Sequence, residues 1–257
     1  MAHALSHRFA RHCLLAAAAS AVVAGAAPAS AQPSARDGDA AAAVVAIVKV
    51  PMPWYAPRAI VAGRMRDSMP QYDSIPGLAY KAFSFARPGG QYGGLYYWKD
   101  RASADAWFDA AWFARVEKER GAKPGVLFLD APVAIDNTPG GTPLASDGPA
   151  VGVLVAIVTP AGVGRERLVA EFRAAVPVYR RIDGLLRKYF TIGADGTFGG
   201  VYLWRDQAAA DRWFDAAWHE RVKKTYGTPA RIEWFDTPIL LPAKAAANRI
   251  DLSVAQP

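Results

Sequence analysis

GGLYYWKDRASADAWFDAAWFARV, Gly93 to Val116, returns 106 residues later as GGVYLWRDQAAADRWFDAAWHERV, Gly199 to Val222. A match this close marks an internal repeat, and the flanking sequence shows how far it extends. Upstream, IPGLAYKAF ending at Phe83 answers IDGLLRKYF ending at Phe190, and VVAIVKV from Val44 answers LVAIVTP from Leu154. Downstream, FLDAPV from Phe128 answers WFDTPI more loosely, with Asp130 facing Asp236 and Pro132 facing Pro238. The units run 44–135 and 151–241. The Gly/Pro/Ser/Thr stretch 136–150 reads as the linker between them, and 32–43 and 242–257 as the chain's loose ends.

Within each unit the elements follow one order. Val44–Val50 is a short apolar strand. Helical character spans Ala59–Met69 and Arg165–Val176, and is expected to stop near Pro70 and Pro177. Gly77–Phe85 and Tyr92–Trp98 form an aromatic hairpin around a Gly/Pro turn; the second copy turns at Gly193–Gly196. Ala104, Trp107, Phe108, Ala111, Trp112 and Arg115 then recur at helical spacing, as do Ala210, Trp213, Phe214, Ala217, Trp218 and Arg221. One continuous apolar face is expected on each helix. Asp100 and Asp206 stand where a carboxylate caps a helix start. A last strand covers about Val126–Val133 and Arg231–Ile239. The fold class is therefore α+β, two tandem ferredoxin-like β-α-β-β-α-β units. One such sheet carries helices on one side only, so its other face needs a cover. A second copy in the same chain supplies it, giving a pseudo-twofold barrel-like core that needs no second chain.

The first 31 residues read as a signal peptide. Arg8 and Arg11 precede an uncharged apolar run, and Ala29-Ser30-Ala31 fits a cleavage site ahead of Gln32. The run is shorter than a spanning helix requires, and no other span follows. The expected location is the periplasm or the medium, without stable membrane insertion. Cys13 is the sole cysteine and leaves with this segment, as do three of the four histidines. The remaining chain has no thiolate and only His219, which excludes histidine-cluster metal sites. The net charge of +7 is scattered rather than gathered into a patch, which argues against a nucleic-acid partner.

The pattern G-L-x-x-K (Gly77, Leu78, Lys81; Gly184, Leu185, Lys188), then G-G-x-Y-x-W (Gly93 to Trp98; Gly199 to Trp204), then an Ala/Trp-rich helix is similar to the dimeric α+β barrel superfamily. Within it, the pattern resembles the YdhR-like monooxygenases. The resemblance covers both units and implies a pocket between sheet and helices. It implies chemistry in the range of cofactor-independent oxygenases of phenolic compounds, haem-degrading enzymes, haem peroxidases and lactone isomerases. The family usually carries one unit per chain and dimerises.

Several residues could carry chemistry. Lys81 and Lys188 are charges inside apolar strands, and read either as cations facing a pocket or as edge lysines that prevent mispairing. Arg115 and Arg221 sit on the aromatic stripe, with Asp130 and Asp236 as candidate partners. Tyr96, Tyr202, Trp98, Trp204, Trp112 and Trp218 repeat pairwise, as core packing or as walls of a cavity for a small hydrophobic molecule. His219 stands opposite Phe113 of the first unit. It could act as a base or an axial haem ligand, or belong to an ordinary surface pair with Asp215. The leading functional expectation is a monooxygenase working without cofactor. A non-catalytic binding protein for a hydrophobic acid and a haem protein through His219 are the alternatives.

Overall fold

The computed structural model describes residues 43–138 and 150–241. The signal peptide, most of the N-terminal stretch and linker, and the C-terminal tail expected from the sequence lie outside the described residues. The first unit comprises β1 (Val44–Pro51), α1 (Arg58–Asp67), a 3-10 turn (Met69–Tyr72), β2 (Leu78–Ala86), β3 (Gln91–Trp98), α2 (Arg101–Trp107), α3 (Ala110–Arg120) and β4 (Gly125–Asp136). The second comprises β5 (Val151–Val158), α4 (Arg165–Tyr179), β6 (Leu185–Ile192), β7 (Thr197–Trp204), α5 (Gln207–Trp213), α6 (Ala216–Tyr226) and β8 (Arg231–Leu240). None of the described helices is long and apolar enough to cross a membrane.

The eight strands close into one antiparallel barrel in the order β1-β3-β2-β8-β5-β7-β6-β4. Each unit contributes four strands. The seams between units are β2 on β8, with Phe83 opposite Ile239, and β4 on β6, with Ile135 opposite Lys188. Closure leaves no strand edge to protect. The edge reading of the two lysines therefore fails, because β2 and β6 are each paired on both sides.

The matching pairs also revise the repeat register. Val44 faces Trp98 and Asp130, and Val151 faces Trp204 and Asp236. Val44 thus corresponds to Val151, not Leu154. Two uniformly apolar runs slide past one another without a visible landmark; the tryptophan opposite each one fixes the alignment.

Three features explain the local structure. First, the Gly-Gly pairs permit close approach. A Cβ on Gly93 would lie 2.0 Å from the Val48 carbonyl oxygen, and one on Gly199 would lie 2.1 Å from that of Val155. Second, the expected single helix is two helices. Asp100 and Asp206 cap the first of each pair, accepting from Ser103 N–H and Ala209 N–H at 2.6 and 2.7 Å. Asp109 and Asp215 then start a new helix, each accepting from the N–H of Trp112 or Trp218 at 2.7 Å. The restart buries Phe108, Trp112, Phe214 and Trp218 but turns Arg115, Arg221 and His219 outward, where they are exposed. Third, Pro177 does not end its helix; α4 continues through it to Tyr179. In the first unit the equivalent Pro70 falls inside the 3-10 turn that ends at Tyr72. A missing N–H near the last turn forfeits only one helical bond, so the chain can carry on.

Burial divides into layers. Val45, Ile47, Leu95, Leu129, Leu154, Val201, Leu203 and Phe235, with no helix residue among the cluster, fill the barrel lumen. Outside it, Leu78, Tyr96, Trp98, Phe108 and Trp112 pack one sheet against its helices. Tyr202, Trp204, Phe214 and Trp218, with Leu168, Phe172 and Val176 from α4, do the same for the other.

Candidate functional site: two equivalent lysine cages

Lys81 and Lys188 are among the largest fully enclosed side chains, each 2% exposed. Both point from their strands toward the helices. Their stems run across Gly94 and Gly200, where a Cβ would sit 3.0 and 3.1 Å from the lysine Cε. The second glycine of each Gly-Gly pair therefore leaves the floor on which the lysine lies.

The ammonium nitrogens end among aromatic faces. Lys81 Nζ is 3.3 Å from the ring centre of Tyr72, 3.7 Å from Phe83 and 4.6 Å from Tyr96. Lys188 Nζ is 3.2 Å from Tyr179, 3.8 Å from Phe190 and 4.6 Å from Tyr202. Two copies of the unit have thus reached the same geometry to within about a tenth of an ångström. The hydroxyls of Tyr72 and Tyr96 are hydrogen-bonded to each other, as are those of Tyr179 and Tyr202. Trp98 stacks beside Tyr96 at 6.3 Å and Trp204 beside Tyr202 at 6.1 Å. Trp107 and Trp213 lie tilted against Tyr72 and Tyr179 at 6.0 and 5.4 Å. The indole N–H groups of all four tryptophans are buried without a hydrogen-bond partner among the described residues.

Electrostatics follow from burial. Loss of water pushes the Lys81 amine well below the ordinary lysine range. The same loss drives the Tyr96 and Tyr202 hydroxyls well above the ordinary tyrosine range, and their neighbours Tyr72 and Tyr179 add to it. Tyrosines here are neutral donors. The amine is either a base or, once protonated, a cation held on π faces at a gain of about 2 kcal/mol when desolvated. Such a cage can take a proton from an acidic hydroxyl or enol and keep the resulting ion pair dry.

The structure sorts the residues nominated from sequence. Lys81, Tyr96 and Trp98 meet in one cage; Lys188, Tyr202 and Trp204 meet in the other. Trp112 and Trp218 are buried one ring further out, against Phe108 at 4.9 Å and Phe214 at 5.0 Å. Trp107 and Trp213 lie nearer the lysines, against Tyr72 and Tyr179. Arg115 and Arg221 leave the stripe, and Asp130 and Asp236 pair elsewhere. Asp130 accepts from Arg165 at 2.5 Å, while Asp236 accepts from Arg58 and Arg87, both at 2.7 Å. Burial raises the Tyr72 pKa, and the charge of Arg115 offsets a small part of that rise. His219 lies exposed with its ring edge-on to Trp218 at 5.1 Å. Among the described residues there is no group of three or more His, Cys, Asp or Glu side chains that could hold a metal ion.

Tyr72, Tyr179, Phe83, Phe190, Trp107 and Trp213 were not singled out as site residues from the sequence. A signal for the tyrosines existed: Pro70-Gln71-Tyr72 and Pro177-Val178-Tyr179 stand at the repeat spacing of the lysines, but each proline read as a stop.

Two ferredoxin-like units closed into one eight-stranded antiparallel barrel, with polar residues sealed between sheet and helices, define the fold. Solved structures of this fold resemble the chain. A protein of Fusobacterium nucleatum subsp. nucleatum described as a "putative monooxygenase" superposes with a TM-score of 0.60 at 10% identity, covering 80% of this chain and 96% of its own. One of Lactobacillus acidophilus, described in the same words, gives 0.56 at 12% identity over 79% and 98%. An "anthrone oxidase-like protein" gives 0.51 at 12% identity over 80% and 94%. At these identities the likeness is one of fold. No protein-family model and no curated protein sequence matches the chain.

Proposed function

We propose that the protein is a cofactor-independent monooxygenase whose lysine cages receive a small hydrophobic phenol or enol. The observation that carries this reading is the duplicated buried lysine, set on three aromatic faces beside indole donors that have no partner among the described residues. At Lys81, whose pKa burial lowers, the neutral amine takes the acidic proton of the bound compound. The ammonium so formed stays on the aromatic faces, next to the new anion, while Trp98 and Trp107, or Trp204 and Trp213, donate to its oxygens. An electron-rich anion in a dry site reduces dioxygen itself. For a methylene activated by a neighbouring phenol, one oxygen atom becomes the new carbonyl. The other leaves as water with the two hydrogens of that carbon. At family level, we include the YdhR-like monooxygenases in this proposal, on the strength of the G-L-x-x-K and G-G-x-Y-x-W signatures.

A hydroxyanthrone is the first probe, a choice guided by the description of one structural neighbour. Oxygen uptake and product absorbance are followed without added metal or flavin. A saturable rate above the protein-free control, lost in the Lys81→Met/Lys188→Met double variant, is the expected result. A rate equal to that control overturns the monooxygenase reading. Stoichiometric binding without turnover would leave the cages as a carrier site for a hydrophobic acid, since the same buried cation serves that role. The haem alternative draws no support from the surroundings of His219. We also infer export with cleavage after Ala31. The intact mass of the mature protein should begin at Gln32, and a mass that includes Cys13 overturns this.

A further inference from the structure

Where α4 runs into β6, the second unit departs from the first in charge. Arg180 and Arg181 stand where the first unit has Asp73 and Ser74, Arg205 where it has Lys99, and Arg212 where it has Ala106. The first three of these border one surface cleft of about 430 Å³, together with Asn137 and the turn from Ile182 to Leu186.

Backbone ties hold the cleft in shape. Asn137 follows β4, and its side-chain amide donates to the carbonyl oxygens of Tyr179 and Leu185 at 3.1 and 3.0 Å. The Asn137 N–H donates to the Leu186 carbonyl at 2.9 Å, and the Arg205 N–H to that of Gly184 at 2.8 Å. The ends of β4, α4 and β7 and the start of β6 are thus joined around it. A ligand meets walls already in place, so little ordering has to be done on binding.

The charges of the cleft do not balance. Arg205 and Arg212 both face Asp183, at 3.2 and 3.4 Å, and Arg205 also reaches Asp206 at 3.2 Å. Arg180 and Arg181 are exposed and pair with no carboxylate among the described residues. Four arginines therefore meet two aspartates, an excess of two positive charges. Arg187 adds nothing to this excess, because it turns inward. Its guanidinium lies 3.9 Å over the Tyr80 ring and pairs with Asp136 at 2.9 Å. Cations at a helix C-terminus complement the helix dipole, which accounts for Arg180 and Arg181 as charges on α4. It does not account for Arg205, which follows β7 and borders the same cleft. Guanidinium groups bind oxyanions through paired N–H donors, and phosphate is a preferred partner. A phosphate monoester, with its second pKa at about 6, is close to a dianion at neutral pH and matches the excess; a carboxylate matches half of it. The half-buried Ile182 and Leu186 offer apolar surface beside the anion.

We propose that this cleft binds a dianionic phosphate monoester carrying a small apolar group. The assignment is separate from the lysine cages and does not depend on their being catalytic.

The probe is phenyl phosphate, titrated calorimetrically into the protein near neutral pH at low salt. Saturable binding with one site per chain is expected, with benzoate, which has the same ring and a single charge, about tenfold weaker. Inorganic phosphate, which lacks the ring, should also bind more weakly. Arg180→Gln/Arg181→Gln should weaken phenyl phosphate about tenfold. Lys118→Gln/Lys224→Gln removes the same charge outside the cleft and should leave the affinity unchanged. All four substituted side chains are exposed, so the variants keep the fold. The Lys81→Met/Lys188→Met variant should bind phenyl phosphate as the parent does. Absence of saturable binding overturns the assignment, and so does equal affinity for benzoate or for inorganic phosphate. Equal losses in the arginine and lysine-to-glutamine variants would show diffuse attraction to a basic protein and overturn it too, as would loss of binding in the cage variant. Failure of hydroxyanthrone oxidation with phenyl phosphate binding intact would count against the cages alone.

Discussion

Replacing Lys81 with methionine should stabilise the protein near neutral pH while disabling one of its two cages. Methionine keeps the unbranched stem and deletes the amine. In the unfolded chain the amine holds its proton below its ordinary pKa of about 10.4. In the fold, burial drives that pKa down. Folding at pH 7.5 must therefore release a proton or bury a charge. Release costs about 1.4 kcal/mol for each pH unit below the unfolded value, so at most about 4 kcal/mol at pH 7.5. Keeping the charge instead recovers about 2 kcal/mol from the aromatic faces. The fold takes the cheaper of the two routes, so Lys81→Met relieves at most about 4 kcal/mol, or roughly 8–16 °C in melting temperature for a barrel of this size. The sign of the pH dependence follows. A lysine with a lowered folded pKa penalises the fold fully below that pKa, progressively less above it, and not at all above about 10.4. The advantage of the variant should accordingly shrink as pH rises from 7.5 toward 10.5. Scanning calorimetry of parent and variant across that range measures it. A variant that melts below the parent by the same margin at every pH would refute the reasoning, since the ammonium–π contacts would then be holding the barrel together.

Other substitutions probe the same architecture. Tyr72→Phe keeps the ring over Lys81 but leaves the Tyr96 hydroxyl unpaired, and should cost about 1–2 kcal/mol in a denaturant melt; an unchanged midpoint would remove the hydroxyl pair from the account. Asp109→Ala should lose about 1 kcal/mol as the cap of α3 disappears, with most of it restored in Asp109→Asn. Gly93→Ala forces a Cβ against the Val48 carbonyl and should leave little folded protein, as judged by soluble yield and near-UV dichroism. His219→Ala should change neither the hydroxyanthrone rate nor stability by more than about 0.5 kcal/mol; a lost rate would return His219 to the chemistry.

The sequence made the fold readable because it repeats. Gly93-Gly94 and Gly199-Gly200, the capping aspartates and the aromatic hairpins are local signals, and each unit repeats the other's reading. What escaped was non-local or ambiguous. Whether Lys81 faced water or a cage depended on β8 pairing with β2, a contact between residues about 150 positions apart. The break at Asp109 was hidden because Trp107, Phe108, Ala111 and Trp112 fit an uninterrupted helical stripe as well as a restarted one. Tyr72 and Tyr179 were lost behind prolines that end many helices but here sit within the last turn. Arg187 answers Tyr80 of the first unit, a disagreement between the repeats that carries no motif of its own.

That disagreement has a history written into the barrel's connectivity. A pair of separate, identical units would meet about a twofold axis, and whatever stood at the place of Tyr80 would stand at the place of Arg187 as well. The axis would set arginine opposite arginine or tyrosine opposite tyrosine across the lumen. An arginine resting on a tyrosine there cannot arise from copies of one sequence. Joining both halves in one chain releases each from the obligation to complement itself. It lets the interior evolve as a heterodimer's would, with no second gene product to find.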